Sequence, residues 1–167
     1  KGKIKHEASL TGTDVANCTL SGANLCCAIL SCAALTDVAS GFISGSSPLL
    51  AAYCMFNGYI VGPGVDLTDV DLTGFDFTGF DLSGANLTGA TLIGSTLTDV
   101  ASGSITGTPT LPAAYCMFNG YIVGPGVNLN GADLTNVNLR YFDLTDVSSG
   151  DITGNPTLPE AYSIISG

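Results

Sequence analysis

An apolar residue returns at every fifth position through three long blocks of this 167-residue chain. In the middle block the central residues are six leucines and one phenylalanine: Leu67, Leu72, Phe77, Leu82, Leu87, Leu92 and Leu97. A period of five matches neither the 3.6-residue period of an amphipathic helix nor the two-residue period of a strand. An internal repeat of this kind has to be interpreted before any single helix or strand is assigned.

Each quintet has the same order of residue types. A small or apolar residue stands two places before the centre, as at Ala85, and Asp or Asn often stands directly before it, as at Asp66 and Asn86. Ser or Thr follows the centre, and Gly often comes next. Two inward positions followed by a small corner residue describe one short side of a coil. The sequence therefore predicts a solenoid with buried central residues and with Asp66, Asp71, Asp76 and Asp81 outside.

The segment DFTGFDLSGANLTGATL, residues 76–92, resembles the pentapeptide-repeat family, whose pattern is A(D/N)LXX. The resemblance extends over 17 quintets, about half of the chain. It implies a right-handed quadrilateral β-helix with four quintets, or 20 residues, in each coil, stacked at a strand spacing of about 4.8 Å. Large rings at Phe75, Phe80 and Phe142 depart from the small inward residue of the family, and we expect the coil to be distorted there.

A coil of 20 residues fixes which side chains stack on one another. The predicted pairs are Asp66 over Asn86, Asp71 over Thr91, Asp76 over Thr96 and Asp81 over Ala101. Carboxylates are not stacked on carboxylates in this arrangement, so neither a calcium site nor an acid/base pair is indicated.

The segments between the quintet blocks repeat one another. Residues 36–65 and 98–127 agree at 24 of 30 positions, and residues 145–167 form a shortened third copy. We predict a single solenoid domain over residues 1–167 with a frayed N-terminus at 1–7. The quintet blocks are 8–37, 65–99 and 127–146, and the inserts, each resembling a β-hairpin, are 38–64, 100–126 and 147–167.

The inserts contain the strongest local signal in the chain. Four apolar residues, Asn57-Gly58 and three further apolar residues predict a β-hairpin, because a type I′ turn needs positive φ at both central positions. The expected strands are residues 53–56 and 59–61. A distorted coil without a projecting hairpin is the alternative.

Both faces of this hairpin are apolar, which indicates that both are covered. The solenoid covers one face, and we predict that the other is a contact surface for a partner protein or for a second copy of the chain. In the third copy Gly167 aligns with Gly58, so residues 162–165 are expected to present a strand edge that invites strand addition. The candidate contact residues are Tyr53, Met55, Phe56, Tyr59, Tyr115, Met117, Phe118, Tyr121, Tyr162, Ile164 and Ile165.

The sequence contains few of the residues that nucleic-acid binding, catalysis or metal binding require. From His6 onward one cation, Arg140, faces 14 carboxylates, a formal charge of 1 − 14 = −13, so direct binding of nucleic acid is excluded. His6 is the only histidine, and no apolar run is long enough to span a membrane. Six cysteines form no CxxC pair and their pairing stays open, although Cys18 stands at the small inward position. We predict no enzyme, no cofactor and no metal site.

The function predicted from these observations is a structural or scaffolding module that binds another protein. Members of the family occur in the thylakoid lumen, and the resemblance implies an extrinsic subunit of a photosynthetic membrane complex. The protein would enter this compartment with a targeting peptide that is then removed. The alternative is an acidic nucleic-acid mimic that occupies the DNA-binding surface of a type II topoisomerase. An ice-binding face of stacked Thr and Ser is a weaker third reading, since Ile93 interrupts one row.

Overall fold

The computed structural model describes residues 14–25, 30, 33–45, 49 and 52–164. The predicted frayed segment 1–7, with His6, lies outside the described residues, as do Ile165 and the cysteines at positions 26, 27 and 32. The described chain forms an all-β solenoid, as predicted. Parallel bridges join Asp66 to Asn86, Asp71 to Thr91, Asp76 to Thr96 and Asp81 to Ala101, which are the four pairs expected from a 20-residue coil.

The solenoid core consists of the central residues of the quintets. All seven of the middle block, from Leu67 to Leu97, are fully buried. Adjacent coils are joined by backbone hydrogen bonds, for example from the Leu82 N–H to the Ala101 carbonyl at 2.9 Å. Asp71 and Asp76 are exposed as predicted, whereas Asp66 and Asp81 are half-buried. Asp66 is partly covered because the Asn86 side chain of the next coil donates to its carboxylate at 3.2 Å.

The coil continues into the predicted inserts. Ala39 and Ser44 each form a parallel bridge with the residue 20 positions earlier, so coil geometry extends beyond the boundary expected at residue 38. The reason is that Val38 and Ile43 keep the inward apolar position of the quintet and are buried. The central position, however, is taken by Ser40, which is 8% exposed. The sequence pattern ends earlier than the coil because the central leucine is replaced by serine.

The coil that carries an insert is longer than the others. Ala39 pairs next with Asp66, and Ala101 pairs next with Asn128, each 27 residues later rather than 20. The additional residues form the hairpins, whose strands are β1 (Cys54–Phe56), β2 (Tyr59–Val61), β3 (Cys116–Phe118) and β4 (Tyr121–Val123). Each pair is antiparallel. The predicted hairpin is confirmed, except that Tyr53 precedes β1 instead of beginning it.

The two hairpin turns have the predicted backbone conformation. Asn57 has φ 47° and Gly58 has φ 82°, and Asn119 and Gly120 have φ 49° and 80°. Positive φ at both positions is the requirement of a type I′ turn. The Gly58 carbonyl accepts a hydrogen bond from the Ile43 N–H at 3.1 Å, so the tip lies against the coil instead of projecting from it.

The two hairpins occupy neighbouring corners of the solenoid. After the first hairpin, the Gly64 N–H donates to Ser83, next to corner residue Gly84, whose N–H donates to Gly103. After the second hairpin, Gly126 accepts from the N–H of Asp99, while the N–H of Gly79 donates to Thr98. Gly79 and Gly84 are corner residues of successive quintets in one coil. The second hairpin is therefore displaced by one side of the coil relative to the first.

Candidate functional site

Most of the predicted contact residues lie half-buried on the solenoid wall. Two tyrosines, a methionine and a phenylalanine of each hairpin pack against the core: Tyr53, Met55, Phe56, Tyr59, Tyr115, Met117, Phe118 and Tyr121. The second strand of each hairpin goes deeper, and Ile60, Val61, Ile122 and Val123 are fully buried. Near the C-terminal end, Tyr162 is 43% and Ile164 47% exposed, and Ile165 lies outside the described residues.

Tyr53, the residue before β1, forms a hydrogen bond with the segment that follows β2. The Tyr53 hydroxyl donates to the carbonyl of Pro63 at 3.1 Å. The Tyr53 ring covers Gly62 so closely that a Cβ added there would overlap the ring. Tyr115 repeats this arrangement with Pro125, at 3.0 Å. Burial, followed by the charge of Asp81, raises the pKa of Tyr53, so its hydroxyl stays protonated as a hydrogen-bond donor.

The coil beneath each hairpin provides matching contacts for the second strand. The N–H of Ile60 donates to Ser40 Oγ at 2.9 Å, and the N–H of Ile122 donates to Ser102 Oγ at 3.0 Å. The Tyr59 ring lies on Gly41, where an added Cβ would be 3.0 Å from it. The serine at the central quintet position therefore serves as the acceptor for a buried strand N–H.

One further backbone contact ends each hairpin. The Asp37 N–H donates to the Gly64 carbonyl at 2.6 Å, and the Asp99 N–H donates to Gly126 at 2.6 Å. We refer to these contacts together as the strand-docking contacts, namely those of Asp37, Ser40, Gly41 and Tyr53 and, in the second copy, of Asp99, Ser102, Gly103 and Tyr115.

Aromatic contacts link the first strand of each hairpin to the next coil. The Phe56 ring lies 4.5 Å from that of Phe75, and the Phe118 ring lies 5.3 Å from that of Phe142. Phe75 and Phe142, two of the three large rings that depart from the repeat pattern, are thus partners of hairpin phenylalanines, whereas the Phe80 ring contacts those of Phe75 and Phe77. Bridges 20 residues apart continue directly after Phe75 and Phe80, so the distortion predicted at those two rings is wrong.

Two exposed aromatic residues beside the hairpins were missed by sequence reasoning. Phe42 is 84% exposed, and its backbone lies against Gly58 at the tip of the first hairpin. Tyr141 is 89% exposed and directly precedes Phe142, the ring that contacts the second hairpin. The available signal was their position, since corner residues of the quintets are otherwise small or polar.

The aspartates of the quintets close turns. The carboxylate of Asp76 accepts from the backbone N–H of Thr78 at 3.0 Å and from its hydroxyl at 2.6 Å. Side-chain and backbone hydrogen bonds of this kind lower the pKa of four exposed carboxyls, those of Asp71, Asp76, Asp133 and Asp143. They remain charged acceptors at neutral pH, which is unsuited to general-acid chemistry.

The described part of the chain contains few groups suited to metal binding or to nucleophilic chemistry. No group of three or more His, Cys, Asp or Glu residues there could hold a metal ion. Burial raises the pKa of the Cys54 thiol, which disfavours the reactive thiolate. Cys18 is exposed, so its predicted inward packing is wrong. Over the same residues, no helix combines the length and apolar character needed to cross a membrane.

Solved structures of known proteins resemble this one. One is QnrB1, a plasmid-mediated fluoroquinolone resistance protein, with 16% identity and a TM-score of 0.31 over 86% of this chain and 60% of that chain. Another is HetL, a pentapeptide repeat protein involved in heterocyst differentiation regulation from the cyanobacterium Nostoc sp.. Its identity is 24% and its TM-score 0.28, over 94% of this chain and 64% of that chain. This chain therefore spans less than two thirds of the length of either protein.

The repeat itself gives the family. None of the curated proteins compared with the chain matches it. The family model described as Pentapeptide repeats matches in eight copies, at residues 6–38, 64–100 and 125–148. These segments make up more than half of the sequence and, over the residues that the structure describes, coincide with the coils whose central residues are buried. The chain belongs to the pentapeptide-repeat family.

Proposed function

We propose that the protein is a non-enzymatic scaffolding module that docks on another protein through the surface around its two hairpins. One observation carries this proposal. Two aromatic rings are strongly exposed: that of Phe42, 84% exposed, whose backbone lies against the tip of the first hairpin, and that of Tyr141, 89% exposed, which directly precedes the Phe142 ring that contacts the second hairpin.

An exposed aromatic ring is suited to protein contact. A Phe or Tyr side chain buries about 150–250 Å² when covered. Tyr is also enriched among the residues that contribute most to binding energy. Met55 and Met117 of the hairpins are half-buried, and methionine adapts its shape to a partner surface. Each hairpin thus provides an aromatic anchor beside a deformable apolar surface.

The electrostatics favour a protein partner with a basic surface. The chain has a formal net charge of −10, and its only cation after residue 6 is Arg140. Charge complementarity accelerates encounter with a basic protein and disfavours acidic ones. The proposal extends to docking on a larger complex as an extrinsic subunit, with a photosynthetic membrane complex in the thylakoid lumen as the specific case.

Mimicry of nucleic acid is the second candidate, and the net negative charge favours it. The charge distribution is less favourable, because Asp66, Asp71, Asp76 and Asp81 belong to four successive quintets and so lie one on each side of a single coil. A mimic of one DNA strand would need carboxylates in successive coils on the same side of the solenoid, so that they form a row parallel to its axis.

The test begins with a partner purified from the native source and reconstituted with the pure protein. Changing Phe42 and Tyr141 to Ser is expected to weaken binding by at least about tenfold, since about 1.4 kcal/mol of contact is lost. Ile93→Ser removes another exposed apolar side chain, 53% exposed, away from the quintet corners, and is the matched control.

A second variant set changes Met55, Phe56, Met117 and Phe118 to Ser, with circular dichroism to verify the fold. Loss of binding in a folded variant supports docking through the hairpins. Binding that is unchanged in both variant sets refutes the proposal. Sedimentation of the protein alone tests self-association. If the protein forms dimers that dissociate in these variants, the partner is a second copy of the chain.

A further inference from the structure

Three Asn-Gly pairs occur in the sequence, at residues 57–58, 119–120 and 130–131. Such a pair can react with itself. The glycine backbone nitrogen attacks Cγ of the asparagine side chain and closes a succinimide ring, while the side-chain nitrogen leaves as ammonia and takes the amide proton of the glycine with it. Glycine favours the attack because it has no Cβ to obstruct the approach.

Water then opens the ring at either of its two carbonyl carbons. One product is an ordinary aspartyl residue. The other is an isoaspartyl residue, in which the main chain runs through Cβ and Cγ and is longer by one methylene. The whole reaction consumes one water molecule and releases one ammonia, so it needs no oxidant, cofactor or enzyme, and both products carry a new negative charge.

At the second hairpin the leaving group of this reaction is held. Asn119 Nδ2 donates to the carbonyl of Asp133 at 3.1 Å and to the carbonyl of Thr135 at 3.2 Å. The side chain has to rotate before its Cγ can meet the Gly120 nitrogen and its Nδ2 can leave. Both hydrogen bonds therefore oppose the reaction.

At residues 130–131, in the coil, the attacking nitrogen is held instead. The Gly131 N–H donates to the carbonyl of Gly150 at 2.7 Å. This hydrogen bond joins adjacent coils, so the nitrogen cannot turn toward the Asn130 side chain unless the coils separate locally.

At the first hairpin neither group is held. The two acceptors of Asn119 align with Asp71 and Thr73, and both of these residues are described, as is Asn57. No hydrogen bond joins the Asn57 side chain to either carbonyl, and the Gly58 N–H has no acceptor among the described residues. Asn57 is exposed, so water reaches the ring that would form.

The two hairpin tips are otherwise matched. Residues 51–65 and 113–127 have the same sequence. The asparagines have φ 47° and 49°, and the glycines have φ 82° and 80°. The Gly58 and Gly120 carbonyls each accept from an isoleucine N–H at 3.1 Å. Different reactivity of the two tips in the folded protein therefore has to come from their contacts with the next coil.

The packing beneath the tips differs in a way that accompanies the different amide contacts. Phe56, directly before Asn57, contacts the Phe75 ring at 4.5 Å. The position aligned with Phe75 in the second copy is Val137, which is buried, and Phe118 contacts the Phe142 ring at 5.3 Å instead. Each tip thus meets the next coil through a different residue.

We propose that Asn57–Gly58 is a site of spontaneous covalent modification, which gives an aspartyl or isoaspartyl residue at position 57, and that the fold protects Asn119 and Asn130. The isoaspartyl product lengthens the main chain inside a type I′ turn, so it disrupts the pairing of Phe56 with Tyr59. The first hairpin then opens, while the second stays paired. This inference does not depend on the proposed function.

The experiment follows the intact protein during incubation at mildly alkaline pH. Digestion with a protease that cleaves before aspartate gives fragments 37–65 and 99–132, and mass spectrometry with fragmentation then reports the three asparagines separately. Asn57 is expected to react at least about tenfold faster than Asn119 or Asn130, which is the size of effect that the hydrogen bonds at those sites provide. An aspartyl product adds a cleavage site for this protease, whereas an isoaspartyl product leaves fragment 37–65 intact and heavier.

The same chain unfolded in guanidinium chloride is the matched control. Asn57 and Asn119 have identical neighbours in sequence, so they should react at equal rates once the fold is lost. Equal rates of these two residues in the folded protein, or a difference that persists in guanidinium chloride, overturn the inference. Reaction of Asn130 as fast as that of Asn57 also overturns it.

A second measurement tests the opening of the hairpin. Asn57→Gly cannot form the succinimide, and Gly-Gly also suits a type I′ turn. Amide hydrogen exchange in β1 and β2 should accelerate in incubated parent protein that carries the isoaspartyl residue, and it should stay slow in Asn57→Gly incubated in parallel. Exchange in β3 and β4 should stay unchanged in both proteins. Unchanged exchange in β1 and β2 of the isoaspartyl protein refutes the opening.

These results are separate from those of the docking experiment. If Asn57 is as stable as Asn119 while the variants at Phe42 and Tyr141 lose the purified partner, only the modification site fails. If Asn57 reacts as expected and the partner is insensitive to both hairpin variant sets, only docking through the hairpins fails.

Discussion

The buried serine at the centre of an insert-bearing coil gives a prediction with an internal control. Ser40 is 8% exposed, and its Oγ accepts from the N–H of Ile60, which is fully buried. Ser40→Ala leaves this N–H without a partner and out of reach of water. An unsatisfied buried donor costs about 1–3 kcal/mol.

The assay is thermal and urea unfolding of Ser40→Ala beside Ser149→Ala. Since 1 kcal/mol shifts the Tm by about 2–4 °C in a chain of this size, Ser40→Ala should lower the Tm by about 2–12 °C. Ser149 occupies the aligned position but accepts no described strand N–H, so Ser149→Ala should leave the Tm of the free protein within about 1 °C of the parent.

A local measurement accompanies the global one, because solenoids do not always unfold as one unit. Amide hydrogen exchange at Ile60 is expected to accelerate in Ser40→Ala and to stay unchanged in Ser149→Ala. If Ser40→Ala is as stable as the parent, or if both variants lose the same stability, the serine is not the acceptor that holds the strand.

Three further predictions follow from the core and the charges. Leu82→Asp places an unpaired carboxylate at a fully buried position, and the protein should lose more than about 4 kcal/mol or fail to fold; unchanged melting would show that the quintet register is incorrect. Thr78→Val removes one hydrogen bond to Asp76, so the lowered pKa of that carboxyl should rise toward its ordinary value in an NMR titration. A carboxyl whose pKa is lower in the folded than in the unfolded state stabilises the folded protein at pH values above the unfolded pKa. The free energy of unfolding should therefore fall as the pH is lowered and these aspartates are protonated, and this loss should be smaller in Thr78→Val. Finally, the protein should not inhibit a type II topoisomerase at any salt concentration, and salt-sensitive inhibition in the sub-micromolar range would favour nucleic-acid mimicry.

The repeat and the hairpin were predictable because both depend on local rules. A period of five fixes which residues stack, and the pairs of Asp71 with Thr91 and Asp76 with Thr96 are confirmed. The Asn57-Gly58 turn needs only the backbone preferences of two residues. Such features require no knowledge of what packs above them.

The packing of the inserts was less predictable, because it depends on contacts between distant residues. The predicted quintet block ended at residue 37, since Ser40 does not resemble a central leucine and its role is visible only once the Ile60 N–H donates to it. Phe42 and Tyr141 were missed because exposure at a corner is set by the surrounding chain. The surface between hairpin and partner stays a prediction.

The displacement of the second hairpin by one side of the coil limits how a partner can use both. With four quintets in a coil, neighbouring sides face directions about a quarter turn apart, so a flat surface that meets one hairpin squarely meets the other edge-on. A single rigid partner can engage both only if it wraps around the corner between them. Two separate partners, in contrast, could bind at once without collision, and the gain from linking two sites would then depend on a linker long enough to turn that corner.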